Sequence, residues 1–140
     1  MTFQRPTNKR RKQHAKRGAV AVEFALTVPV FFLFLLAAFE FGWLNVMRHT
    51  ADNAAYEAAR AAMVPGATAA DATAKANSIL KIVGARNAKI TITPATLTTA
   101  TKEVTVAIDL PMNSNGLIVP RFTSKTSLHS ESTLGTERAE

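Results

Sequence analysis

The chain has no cysteine among its 140 residues, which removes disulfides, thiolate nucleophiles and thiolate metal sites together. Histidine is nearly as scarce. His14, His49 and His129 fall in three separate segments, and no spacing joins them to a serine or a carboxylate cluster. There is no phosphate-binding glycine loop and no internal repeat. No catalytic residue, metal or cofactor is therefore expected.

Acidic residues are missing from the whole stretch ahead of Gly18, which carries Arg5, Lys9, Arg10, Arg11, Lys12, Lys16 and Arg17. Those seven bases account for the excess of 17 Lys and Arg over 10 Asp and Glu, because the remainder balances. A formal charge of +7 alone would suggest a nucleic-acid binder. Phe3 is the one aromatic in this leader, so no rings alternate with the bases for nucleobases to stack on, and nucleic acid is not expected as a partner. Concentrated beside an apolar segment, the same charge reports topology: the positive-inside rule holds a short basic flank in the cytoplasm and places the chain beyond the span outside it.

That apolar segment is the feature around which the chain is organised. From Ala19 to Phe39 only Glu23, Thr27 and Pro29 interrupt the apolar residues, and a helix of about 20 residues crosses a hydrocarbon core of roughly 30 Å. A buried helix of a soluble protein would show an apolar stripe, whereas this one is apolar all round, and the rest of the chain is too short to wrap it. A cleaved secretory signal would have an apolar part of about 7–15 residues ending in small residues, whereas bulky Phe and Leu fill the far half here. The segment reads as a retained, lipid-facing span.

Glu23 is the anomaly in it. A carboxylate just inside hydrocarbon costs about 2.5–3.5 kcal/mol on insertion scales and calls for a partner, either a Lys or Arg snorkelling from the leader or a group on another chain. The order Gly18, four residues, Glu23, Phe24 after a basic leader resembles the processing site of type IVb prepilins and pseudopilins. With Val22, Pro29, Glu40, Gly42, Ala59 and Arg60, the run from Arg17 to about Arg60 resembles the TadE-like family, pseudopilins of the tight-adherence (Tad, Flp pilus) machinery.

This resemblance implies cleavage by a prepilin peptidase between Gly18 and Ala19, with Glu23 and Phe24 as part of the recognised site. Gly18, lacking a Cβ, would let the protease approach the backbone. The resemblance also implies that Glu23 of one subunit pairs with the new Ala19 amine of a neighbour, and that Glu23, Pro29, Glu40, Gly42 and Arg60 serve helix packing or assembly. The implied partners are the peptidase, other Tad pseudopilins, inner-membrane pilus assembly proteins and the lipid bilayer. The implied location is the bacterial inner membrane, with possible incorporation in a pilus. Pro29 removes a backbone donor and would bend or loosen the helix, with or without a role in assembly. Glu40 and Trp43 are expected at the far interface, the carboxylate reaching water and the indole at headgroup depth. Gly42 would permit close helix contact or a slight bend.

Beyond Trp43, Met47, Ala51, Ala54, Ala55, Ala58, Ala59 and Ala62 recur at three- and four-residue spacing, and Arg48 faces Asp52 at i,i+4. This small-residue face suits close packing against the downstream domain or another subunit. Pro65-Gly66 ends the helix after about 45 residues, near 65 Å at 1.5 Å per residue. Thr68 and Asp71 fit a capping box opening a second helix, whose stripe of Ala72, Ala76, Ile79, Leu80 and Val83 ends at Gly84. Ile90 and Ile92, then Val104, Val106, Ile108 and Leu110, alternate with outward residues as half-buried strands, stopped by Pro94 and Pro111. A weaker third strand is expected around Arg121 to Ser132 after the PMNSNG turn, at an edge or in a partner contact, and TLGTERAE reads as a frayed tail.

The sequence thus predicts an α+β, single-pass membrane protein: a long N-terminal pilin-like helix with a small head of one helix plus an antiparallel sheet. Its expected domains are a basic cytoplasmic leader (1–18), a transmembrane helix (19–43), an extracytoplasmic extension of that helix (44–64) and an extracytoplasmic α+β domain (65–140). A TadE-like pseudopilin acting in Flp pilus assembly, and not an enzyme, is the implied function. An uncleaved bitopic anchor with an extracytoplasmic binding or scaffold domain is the alternative.

Overall fold

The computed structural model describes residues 9–98, 100–117 and 123–135, with side chains described from Gly18 onward. The chain divides into two compact units, Met1–Ala38 and Phe39–Glu140. Helix α1 (Lys9–Ala62) contributes to both.

In the first unit α1 shows its apolar side chains outward: Val20, Phe24, Leu26, Phe31 and Phe34 are between 58% and 69% exposed. Among the described residues, α1 is the one helix long and apolar enough to cross a membrane. It begins earlier than the sequence suggested, at Lys9, so Gly18 lies inside the helix instead of starting it. The residues before Gly18 include several Lys, Arg and Gln, all good helix formers, and their propensity outweighs the roughly 1 kcal/mol that one internal glycine costs. The leader's side chains up to Arg17 lie outside the described residues.

The second unit holds the end of α1, helix α2 (Ala69–Ile82) and strands β1 (Lys89–Thr93), β2 (Glu103–Pro111) and β3 (Ser127–Gly135), with a short 3-10 turn at Met112–Ser114. Local chemistry explains the boundaries. After α1 the chain turns at Gly66, whose φ of 84° is readily adopted only without a Cβ. The capping box opens α2 as expected: the Thr68 side chain accepts from Asp71 N–H at 3.3 Å, and the Asp71 carboxylate accepts from Thr68 N–H at 2.9 Å. At the other end Gly84 N–H donates to Lys81 O at 3.0 Å and Ala85 N–H to Leu80 O at 3.1 Å. Those two bonds form a Schellman motif, with Gly84 in the left-handed conformation it requires.

The sheet is an antiparallel meander in the order β1-β2-β3. Along β2 the period of two puts Val104, Val106, Ile108 and Leu110 on the buried face, opposite Ile90 and Ile92 of β1 and Leu128 and Leu134 of β3. Pro111 is the last paired residue of β2, an end position that requires no further ladder donor.

The third strand corrects the sequence expectation. It runs Ser127–Gly135 and pairs with β2 along its whole length, so Thr133, Leu134 and Gly135 belong to the sheet and not to a frayed tail. Leu134 lies opposite Val104 on the buried side, and the Thr133 and Thr105 hydroxyls are 2.8 Å apart on the other face. Cross-strand pairs of this kind hold a polar strand that its own composition would not. Arg121 and Phe122 of the expected strand, and residues 136–140, lie outside the described residues.

Between helices and sheet lies the core. Ala54, Ala55, Ala58, Ala59 and Ala62 of α1 meet Ala72, Ala76 and Leu80 of α2 and Val104, Val106 and Ile108 of β2. A neighbouring cluster joins Met47 of α1 to Leu110, Met112 and Leu128. The small-residue face of α1 therefore packs on the downstream domain of its own chain, the first of the two alternatives the sequence left open.

Candidate functional site

The residues singled out on α1 fall into two groups. In the first, Gly18, Ala19, Glu23, Phe24 and Pro29 are all exposed. A Cβ built on Gly18 would meet nothing within 4 Å, so the glycine is not required by packing among the described residues. Among the described residues no hydrogen bond or ion pair engages the Glu23 carboxylate; the bond at this position is Thr27 Oγ1–H donating to the Glu23 main-chain carbonyl at 2.8 Å. α1 continues through Pro29.

The second group belongs to the folded unit, and here the structure revises several expectations. Glu40 does not simply reach water. Its carboxylate accepts from both Thr123 N–H and Thr123 Oγ1–H at 2.7 Å, and Thr123 is buried. A carboxylate taking a backbone and a hydroxyl donor from one residue is a charge-assisted pair with fixed geometry. One turn on, the Trp43 indole N–H donates to the main-chain carbonyl of Asn115 at 2.7 Å, so its polar end is held by the protein.

Asn115 is itself a junction. Its side-chain oxygen accepts from Arg86 N–H at 2.7 Å, and its amide donates to Arg86 O at 2.8 Å and Pro111 O at 2.7 Å. At 4% exposure, an asparagine with these bonds is one whose loss would leave several buried groups unpaired. The segment after β2 is thus fastened to α1 at two points, Asn115 to Trp43 and Thr123 to Glu40. Sequence reasoning missed Asn115 and Thr123. The one sequence signal was an asparagine at the end of an otherwise ordinary turn motif.

Asp52 departs from the expected pairing with Arg48. Its carboxylate accepts from Ser130 Oγ of β3, a buried serine that would otherwise lack a partner, while Arg48 is exposed. Arg60, exposed in the last turn of α1, lies 3.8 Å from Glu57, where its charge also suits the negative helix end. A Cβ on Gly42 would meet nothing within 4 Å, so among the described residues no close helix contact uses it.

On the outer face of the sheet, His129 Nδ1 is 2.7 Å from Asp109 Oδ1 and its Nε2 is 3.6 Å from Glu131. The hydrogen bond to Asp109 first, and then Glu131, raise the imidazole above its ordinary value of 6.5. Among the described residues no three His, Asp or Glu side chains are placed to hold a metal ion.

The fold and these features define a small α+β protein carried on a helix that could anchor it in a membrane. Residues 18–60 match the model of the TadE-like protein family. The resemblance read from Gly18, Glu23, Pro29, Glu40 and Arg60 is therefore found over the same stretch. The match covers the apolar helix and its alanine face, and leaves α2 and the sheet outside it. Neither curated proteins nor solved structures gave a match to the chain.

Proposed function

We propose that this chain is a TadE-like pseudopilin, cleaved by a prepilin peptidase after Gly18 and acting in assembly of the adhesive Flp pilus from the inner membrane. The observation that carries this reading is the coincidence of the family match, which begins at Gly18, with an apolar helix whose side chains face outward from Val20 on. The basic leader supports a cytoplasmic N-terminus and an extracytoplasmic head. In this role the chain is a substrate and an assembly component, not a catalyst. Its partners are the peptidase, other Tad pseudopilins and inner-membrane assembly proteins.

Cleavage and assembly depend on different residues in this reading. Gly18→Leu puts a bulky side chain where the protease approaches, so uncleaved protein carrying its leader accumulates. Glu23→Ala removes a carboxylate that is costly in hydrocarbon but leaves a neighbour's Ala19 ammonium without its counter-charge, so the protein is cleaved yet fails to assemble. Gel mobility reads the first effect and co-purification with the other pilus components the second. Glu23→Ala protein that is cleaved and co-purifies as the parent does would show that the carboxylate has no pairing role.

One observation favours the second reading, a permanent uncleaved anchor. α1 is helical from Lys9 through Gly18, so a protease must first draw the chain out of the helix to reach the bond. A reporter fused after Glu140 is active outside the cytoplasm in both readings, and activity confined to the cytoplasm contradicts both.

A further inference from the structure

We propose that the heads of two copies of this chain join edge to edge, β1 of one alongside β3 of the next, so that the sheet continues from copy to copy. Among the described residues no further strand lies on the outer side of β1 or of β3. β3 is nine residues long and free of proline, and such an edge offers a row of main-chain donors and acceptors that another strand can take up.

The register fixes which groups those are. Met112 N–H donates to Thr126 O at 3.0 Å, and alternation from that bond turns the main-chain groups of Glu131, Thr133 and Gly135 to the free side of β3 and those of Ile90 and Ile92 to the free side of β1. The outer strands of a three-stranded antiparallel meander run in the same direction, so β1 and a neighbour's β3 meet in parallel when the two copies have the same orientation. One register matches three kinds of side chain at once. With Lys89 opposite Glu131 of the next copy, Thr91 faces Thr133 on the exposed side, and Ile92 faces Leu134 at the rim of the core, where both are only partly buried. Ile90 can then donate to Glu131 O and accept from Thr133 N–H, the slanted pattern of a parallel pair. A slip of two residues sets Lys89 against His129 or Thr133 and loses the opposite-charge pair. Charge and apolar rim therefore select the same occupant, a second copy.

Direction excludes the other self-pairing, β3 on β3 about a twofold axis. Met47 packs by Leu110, whereas the later alanines of α1 pack by Val104, Val106 and Ile108, so this stretch of α1 lies along the sheet. A twofold axis normal to the sheet would turn the two α1 helices in opposite directions. Copies anchored in one membrane share one direction, and on that point alone the proposal rests on the reading of α1 as a span. The resulting contact is head to tail and open-ended.

The absence of cysteine makes each introduced thiol unique. Full chains carrying Thr91→Cys and Thr133→Cys, one lengthened by a C-terminal tag, would be produced in the same cells and oxidised in the isolated membranes. Within one chain these positions lie on the two outer strands, about 10 Å apart or more at 4.7–4.9 Å per strand spacing, beyond the roughly 7 Å Cα separation that a disulfide spans. A link therefore reports two copies.

The expected result is a 91–133 dimer at least several-fold more abundant than the dimer from Thr91→Cys mixed with Ser78→Cys, a position on the exposed side of α2. Lys89→Glu in the Thr91→Cys copy should lower the yield several-fold, and Glu131→Lys in the Thr133→Cys copy should restore it, which also shows that both heads still fold. A 91–133 yield no higher than the Ser78→Cys control, or one indifferent to the charge reversals, overturns the proposal. So does a predominant 133–133 dimer, the mark of twofold pairing. Chains recovered in the soluble fraction overturn the span and with it the choice of this pairing. The links form in the head, so their outcome is separate from cleavage after Gly18.

Discussion

Residues 19–39 and residues 47–62 lie on one helix and differ in almost every respect that physical chemistry can use. The first stretch is built of Phe, Leu and Val that point outward, and the second presents Met47 and a row of alanines that are buried to the last residue. Bulky outward side chains suit a solvent of lipid tails, in which apolar area need not be hidden. Small inward ones let a sheet and a second helix approach the backbone closely, at the cost of burying little area per residue. The contrast shows that a helix's role is set by what surrounds each stretch, not by its helicity, since propensity alone would carry either stretch.

The comparison can be broken most sharply by making equivalent truncations on its two sides. Met47→Ala, at a position 2% exposed, is expected to lower the stability of the head by about 2–5 kcal/mol. Leu33→Ala, in the outward-facing stretch, should leave it within about 0.5 kcal/mol of the parent. Thermal unfolding of both variants in the same detergent reads the difference. Equal effects would mean that the two stretches share one environment.

A reversed substitution sharpens the point. Ala58 is fully buried against α2 and the sheet, so Ala58→Leu should overpack the contact and cost roughly 1–3 kcal/mol, read as a lower denaturation midpoint. A neutral result would show that the alanine face is not held tightly against its neighbours.

The smallest expected effect lies on the solvent side of the sheet, where His129 bridges Asp109 and Glu131. Its folded pKa is raised, so the stability it contributes is fully present below the unfolded value of about 6.5 and is lost as pH rises through the higher folded value. The gap between the parent and His129→Gln in unfolding temperature should therefore shrink as pH is raised through and above that range. A gap that widens with pH would reverse the sign of the assignment.

Most of the fold was legible because most of it is local. The apolar run, the small-residue face, the Thr68–Asp71 box and the alternation along β2 are patterns of period two to four, read within a few residues. What stayed hidden depends on partners far apart in the chain. Glu40 and Thr123 are separated by 83 positions, and Trp43 and Asn115 by 72. An acid one residue past an apolar run is visible as odd, but its partner is not. The Arg48–Asp52 pairing failed for the same reason. A tertiary donor, Ser130, competes for that carboxylate, and an exposed i,i+4 ion pair is worth only about 0.3–0.5 kcal/mol. The third strand's true extent likewise depends on pairing with β2, which the polar sequence of Ser127–Gly135 does not announce.

The functional reading rests on the apolar stretch becoming the start of the mature protein, and the N-terminal residue of the chain recovered from membranes tests that most directly. The account predicts Ala19, with the seven-base leader gone. A chain that begins at Met1 or Thr2 in cells with an active prepilin peptidase would contradict it and leave an uncleaved anchor in its place.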